Sequence, residues 1–462
     1  MAALKNLREA GPSAALALVM LWWGLNLGYP MHLLQPIRWT LFGHTFPVYY
    51  LITAGLALGA GVCVLASKRG WTGWELLWCL LPLICLPGIW RSGDRIWAFR
   101  QWLSWLVRGP IPGGIIFLAA CRRRPQPLLL WWVYPVILAA AFLGLGELAW
   151  EQNPLWDHPP FAVAEPAPSG NNFGAAVGRI DRAVIPQTIQ TDNPFYRPHR
   201  SVFLSARPWG TQGNKVPYAA TILAFFPLGL WLLKHRVGTY WVHVLGVAVL
   251  FSILILARAR SGWVGLLAVL MAVPAFGLYR EPRKVATLIG GLLLCLVLLM
   301  VWPKSQVMLC ERMHSLRLTE QSIRERLAVL KTAKALEGRW LLGVGFGQFP
   351  TACLPYRDQA LPWLGTPDNQ YLRWTIENGI LGLSFLAAFI IGLIRAGWHR
   401  LRLMADLRQA DFYRAILLGW LGIAVTFLFF DGFYWGACNM TFWCLLGLFA
   451  TSLTTPVDGA SV

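Results

Sequence analysis

The chain is a succession of apolar runs, each close to the length of a membrane-spanning helix. A helix needs roughly 20 apolar residues to cross the hydrocarbon core. Runs of that kind lie at 14–34, 46–67, 74–91, 98–120, 128–149, 216–233, 240–257, 261–279, 285–302, 371–394, 414–430 and 434–454. The expected fold is therefore all-α, a polytopic integral membrane protein of about twelve transmembrane helices. Composition agrees: a soluble domain carries about 25% charged residues, and this chain carries 13%. Its 26 tryptophans often stand near the ends of the apolar runs, as in an interfacial belt. The first run has no A-x-A-like cleavage site after it, so it is expected to be retained as a helix. The weakest run is 98–120, where Arg100 and Arg108 interrupt and Pro110 and Pro112 should bend the chain. It reads equally as a broken or re-entrant segment.

Lysine and arginine set the orientation. With the N-terminus inside, the inner segments hold Lys5 and Arg8, Lys68 and Arg69, Arg122 to Arg124, Lys234 and Arg236, Arg280, Arg283 and Lys284, and the basic stretch from Arg395 to Arg414. This positive-inside pattern puts both termini in the cytoplasm. It also explains the formal net charge of +19 as topology rather than as a nucleic-acid surface. The organisation that follows is 1–149, N-terminal transmembrane helices; 150–215, external loop; 216–302, central helices; 303–370, external loop with an amphipathic helix; and 371–462, C-terminal helices. In the second loop, SIRERLAVLKTAKALEGRW carries a capping-box signal, Ser322 followed by Glu325. Ile323, Leu327, Leu330 and Ala333 recur at helical spacing. A helix along the outer surface should end near Gly338, before the tight loop LLGVGFGQF.

Charge where a membrane helix begins is expensive and needs a reason. TPDNQYLRWTIENGILGL places Asp368, Arg373 and Glu377 at the head of an apolar run. Arg373 and Glu377 have the four-residue spacing of a helical ion pair, and Asp368 reads either as a helix N-cap or as a chemical group. Arg258 and Arg260, in ILARARSGWVG, sit at an outer helix junction, with Arg324 and Arg326 on the same side. Arginines at an interface can simply snorkel. Together, beside a Gly-rich loop and an Asp, they suggest a site for a phosphorylated substrate, because the guanidinium fork pairs bidentately with phosphate. The nine cysteines form no CxxC and no zinc-like cluster. Cys310 and Cys353 both fall in the second outer loop, in a compartment that is oxidising in bacteria, and are a candidate disulfide.

Several stretches together resemble the O-antigen ligase and polymerase superfamily. ARARSGWVGLL is similar to its S-R-S-G-W-x-G-L segment, and RERLAVLKTAKALEGRWLLGVGFGQF to its R-x-x-x-W segment running into P-L-x-G-V-G-x-G-x-F. TPDNQYLRWTIENGILGL is similar to H-N-x-Y-L-x-x-x-x-E-x-G-x-x-G-L, and RPWGTQGNKVPYAA to the segment opening the central domain. The resemblance covers about residues 205–395. It implies a mostly helical glycosyltransferase of the bacterial inner membrane. Such an enzyme takes a glycan from a polyprenyl (undecaprenyl) diphosphate carrier at the periplasmic face and moves it to lipid A–core or to another acceptor, with no cofactor and no metal. Arg260 falls on the family's first essential arginine, Arg326 on the second, and Asp368 on its histidine. Arg258, Arg324, Asn369, Tyr371, Arg373 and Glu377 are candidates for substrate contact. The sequence departs from the family at Asp368, at Trp340, where the family has Pro, and at Leu330, where it has Trp. The second reading is a polymerase joining lipid-linked repeat units. A transporter or flippase would need charges near the bilayer midplane and repeated halves, and the spans are nearly free of such charges.

Overall fold

The computed structural model describes residues 2–27, 38–41, 44–47, 55, 73–120, 129–150, 215–257, 259–279, 281–301, 327, 329–331, 333–353, 355 and 368–454. Its helices are α1 (Ala2–Leu27), α2 (Gly73–Leu80), α3 (Leu86–Arg91), α4 (Arg95–Arg108), α5 (Pro110–Ala120), α6 (Tyr134–Trp150), α7 (Lys215–His235), α8 (Tyr240–Leu256), α9 (Arg260–Ala275), α10 (Pro282–Val301), α11 (Phe349–Cys353), α12 (Gln370–Leu403), α13 (Leu407–Thr426) and α14 (Gly436–Ala450). One short antiparallel hairpin, Arg38–Leu41 with His44–Pro47, departs from the all-helical expectation. Among the described residues six segments are long and apolar enough to cross a membrane: Gly73–Arg91, Arg95–Ala119, Lys215–His235, Pro282–Val301, Gln370–Leu403 and Gly436–Leu453. Shorter apolar helices lie at Ser13–Gly24, Leu129–Leu145, Tyr240–Leu256 and Arg260–Ala275. Most of the run at 46–67 falls outside the described residues.

The centre of the bundle is built from α7 and α14. Every residue from Pro217 to Leu232 and from Ala437 to Ala450 is buried. A helix that is apolar all round belongs inside a large core or a membrane. Here the protein supplies the cover, and α13 lies against both. By contrast α10 buries only Leu292, and the other described residues leave the rest of its apolar surface uncovered. The doubtful run at 98–120 is two helices: α4 ends at Gly109, whose φ of −139° and ψ of −89° turn the chain into α5.

Cross-contacts define two ends of this bundle. Gly265 of α9 packs on Leu223 of α7 and Thr426 of α13. The Gln370 N–H at the start of α12 donates to the Phe427 carbonyl at 2.9 Å. The starts of α7, α9 and α12 therefore share one end with the close of α13. At the other end Lys234 and His235, closing α7, reach the buried Asp411 near the start of α13, at 2.5 and 3.1 Å. Arg414 completes that cluster at 2.6 Å.

The helix expected within residues 303–370 falls only partly among the described residues. Described residues between 327 and 335 are helical, and a 3-10 turn, Glu337–Arg339, closes it near the expected Gly338. Its buried face differs from the expected one. Val329, Ala333 and Leu336 pack on Val344, Phe349 and Ile376, whereas Leu327 and Leu330 are exposed. The helix is rotated because it docks on the Gly-rich loop and on α12, which accept the i, i+4, i+7 stripe.

Candidate functional site

The site begins at a break in α12. Gly379 has φ 74° and ψ 175°, so the helical hydrogen-bond ladder stops there. A break inside an apolar segment is tolerated only where the freed groups find protein partners. The Gly-rich loop supplies them. Val344 N–H donates to the Ile376 carbonyl at 2.8 Å and Gly345 N–H to Glu377 at 3.0 Å, while Ile380 N–H donates to the Trp340 carbonyl at 2.6 Å. Gly343 has φ +78°, and a Cβ there would collide with the Glu377 backbone; one at Gly379 would collide with Leu341. Loop and broken helix thus form one interlocked unit. Trp340 anchors it by donating from its indole to the Ala333 carbonyl at 2.9 Å.

Charge is concentrated beside this joint. Arg373 is fully buried and Glu377 is 1% exposed. Arg373 Nε donates to Glu377 Oε1 at 2.9 Å, and its Nη1 donates to Asp431 Oδ2 at 2.7 Å. The Tyr434 ring lies 3.4 Å from the guanidinium carbon, and its hydroxyl donates to Glu377 Oε2. The Phe349 N–H reaches Glu377 Oε1 at 3.3 Å. Asp431 lies in the connection between α13 and α14, at residues 427–435. Burial pushes its carboxyl upward, while the Arg373 guanidinium and the Asn369 backbone N–H pull it back. The four-residue spacing of Arg373 and Glu377 correctly signalled an ion pair. Asp431 and Tyr434, distant in sequence and without a periodic signature, were missed.

The first turn of α12 satisfies its own donors. Asn369 is the N-cap, and its Oδ1 accepts from Tyr371 and Leu372 N–H, both at 3.0 Å. Asp368 is therefore not the cap. It precedes the cap, is exposed, and has φ +45°, a left-handed conformation that Asp tolerates better than most residues. Tyr371 hydroxyl donates to the Ala424 carbonyl at 2.8 Å. Of the proposed substrate contacts, Asn369, Tyr371, Arg373 and Glu377 thus have internal partners. Arg373 and Glu377 are also the most deeply buried of the four, at 0% and 1% exposed.

Arg260 is the first residue of α9 and is half-buried. It stands at the same end of the bundle as Asp368, because α9 and α12 both begin beside the close of α13. Arg258, Arg324, Arg326 and Cys310 lie outside the described residues, as does the side chain of Cys353. Among the described residues no three His, Cys, Asp or Glu side chains gather where they could hold a metal ion.

A comparison with curated proteins finds no match. The stretch from residue 245 to residue 387, which runs from within α8 through Arg260 and the Gly-rich loop and past the break in α12, matches the family model described as O-antigen ligase, a match that supports a likeness to that superfamily over this part of the chain.

Proposed function

We propose that the protein is a membrane glycosyltransferase of the O-antigen ligase type, moving a glycan from a polyprenyl diphosphate carrier to an acceptor such as lipid A–core at the periplasmic face of a bacterial inner membrane. The observation that carries this reading is that Arg260 and Asp368, from two separate family motifs, stand at one end of the bundle. In the proposed step an acceptor hydroxyl attacks the anomeric carbon, the bond from that carbon to the diphosphate oxygen breaks, and the hydroxyl proton passes to the Asp368 carboxylate. Arg260, with Arg326 and supported by Arg258 and Arg324, meets the charge that builds on the departing diphosphate. Asp368 replaces the family's histidine as base, a task that carboxylates perform in other inverting glycosyl chemistry. Polymerisation of lipid-linked repeats uses the same chemistry with a different acceptor.

The test is transfer in reconstituted membranes with a lipid-linked glycan donor. Arg260→Ala should lose about 10²–10³ in rate, with Arg260→Lys recovering part, since an ammonium lacks the fork. Asp368→Asn should lose about 10² or more in turnover with donor affinity little changed. Parent-like turnover in both Arg260→Ala and Asp368→Asn would reject the proposed site.

A further inference from the structure

The residues that follow Asp368 are bonded to one short connection, and Gln370 makes the most specific of these bonds. Gln370 is 1% exposed. Its backbone N–H donates to the Phe427 carbonyl at 2.9 Å, and its side-chain Oε1 accepts the Phe433 N–H at 2.8 Å. Gln370 therefore clasps the 427–435 connection at two points six residues apart. Asp431, between those points, takes Arg373 Nη1 at 2.7 Å and is favoured as a carboxylate by the Asn369 N–H. Asp368 stands two residues before this clasp, with the Asn369 cap between them.

The clasp has little slack. The Phe433 ring packs against Phe427, Trp374, Phe442 and Trp443, with centroids 5.2 to 6.0 Å away. The Phe433 N–H is thus set in an aromatic nest where water does not readily replace its acceptor. A buried donor that loses its acceptor keeps the full desolvation penalty, so the connection moves rather than leave it unpaired. The Asp368 turn, bonded to that connection, would move with it. A misplacement of about 1 Å at a reacting group can cost about 10²-fold in rate.

We infer that Gln370, seconded by Asp431, is a positioning residue that fixes the Asp368 carboxylate by tying its turn to the connection between α13 and α14. The inference rests on the proposed role of Asp368 as base.

The experiment is a double-mutant comparison in the transfer assay, with folding checked by size exclusion and thermal melting in detergent. Gln370→Leu, of similar size but without an acceptor, should lower kcat about 10–100-fold with little change in KM for the donor. Gln370→Glu, which keeps an acceptor oxygen, should recover most of that loss. In an Asp368→Asn background Gln370→Leu should cost little more, since the group it positions is already gone. If Gln370→Leu fails to fold, Asp431→Asn is tested against Asp368→Asn in the same way. A fall in Asp368→Asn without a fall in Gln370→Leu, or losses that multiply, would overturn the positioning role alone. Parent-like turnover in Asp368→Asn would overturn the base assignment, and the positioning role with it.

Discussion

Arg373 shows why a charge at the head of an apolar helix survives in this chain. One guanidinium serves two buried carboxylates, Glu377 at 2.9 Å and Asp431 at 2.7 Å, and lies face-on to the Tyr434 ring. Removing it would leave two acids together in a dry site. Breaking a buried pair in this way costs about 3–5 kcal/mol. Arg373→Gln should therefore melt well below the parent, and Arg373→Gln with Glu377→Gln should recover part of the loss, because one unpaired charge has gone with the cation. If the double variant melts no higher than the single one, the carboxylates are not what makes the arginine necessary. The ion pair was legible in the sequence from its spacing alone. The third partner was not, because nothing local links position 373 to position 431. The cap shows the same limit: Asp368 and Asn369 are both good capping residues, and only the backbone decides that Asn369 holds the cap and Asp368 stays exposed.

At the scale of elements, the break in α12 and the Gly-rich loop are a single device. The loop's N–H groups replace the helix's own at Ile376 and Glu377, and the helix beyond Gly379 donates back to Trp340 and Leu341. Gly379→Ala faces both a positive φ and a collision with Leu341. The left-handed backbone alone costs about 1–2 kcal/mol for a residue with a Cβ, so the variant should lose at least that much stability. Gly290→Ala is the control, since nothing lies within 4 Å of a Cβ there, and in a helix it should be neutral or stabilising by up to about 1 kcal/mol. Equal melting temperatures for the two variants would show that α12 can be continuous. The glycines at 343, 345 and 347 announced a tight loop in the sequence, and the apolar runs announced helices. What they close against was hidden, because a backbone-to-backbone match leaves no side-chain pattern. The hairpin at Arg38–Leu41 and His44–Pro47 was hidden for a plainer reason: four-residue strands are too short to stand out between apolar runs.

For the whole molecule, the decisive question is which end of the bundle faces which compartment. One end carries Lys234, Arg236, Arg283, Arg400 and Arg408, in or beside short connections; the other carries Asp368, Asp431 and Arg260. Cationic short connections favour the cytoplasm, and on that rule the end with the proposed site is expected to face outside, although Arg91 and Arg95 flank a short connection at that same end. Helix α13 is the natural gauge. Its 20 residues rise about 30 Å, close to the thickness of the hydrocarbon core, and it links Asp411 at one end to the connection that holds Asp368 at the other. Leu407 opens it and Leu428 lies two residues past its end, 65% and 46% exposed. A cysteine at Leu428 should react with a membrane-impermeant maleimide in intact spheroplasts, above the background of the parent. A cysteine at Leu407 should react only after the membrane is permeabilised. The reverse pattern would invert the molecule and remove the periplasmic site. Equal labelling of both before permeabilisation would mean that α13 does not span, and the two-ended arrangement on which the proposed chemistry depends would fail with it.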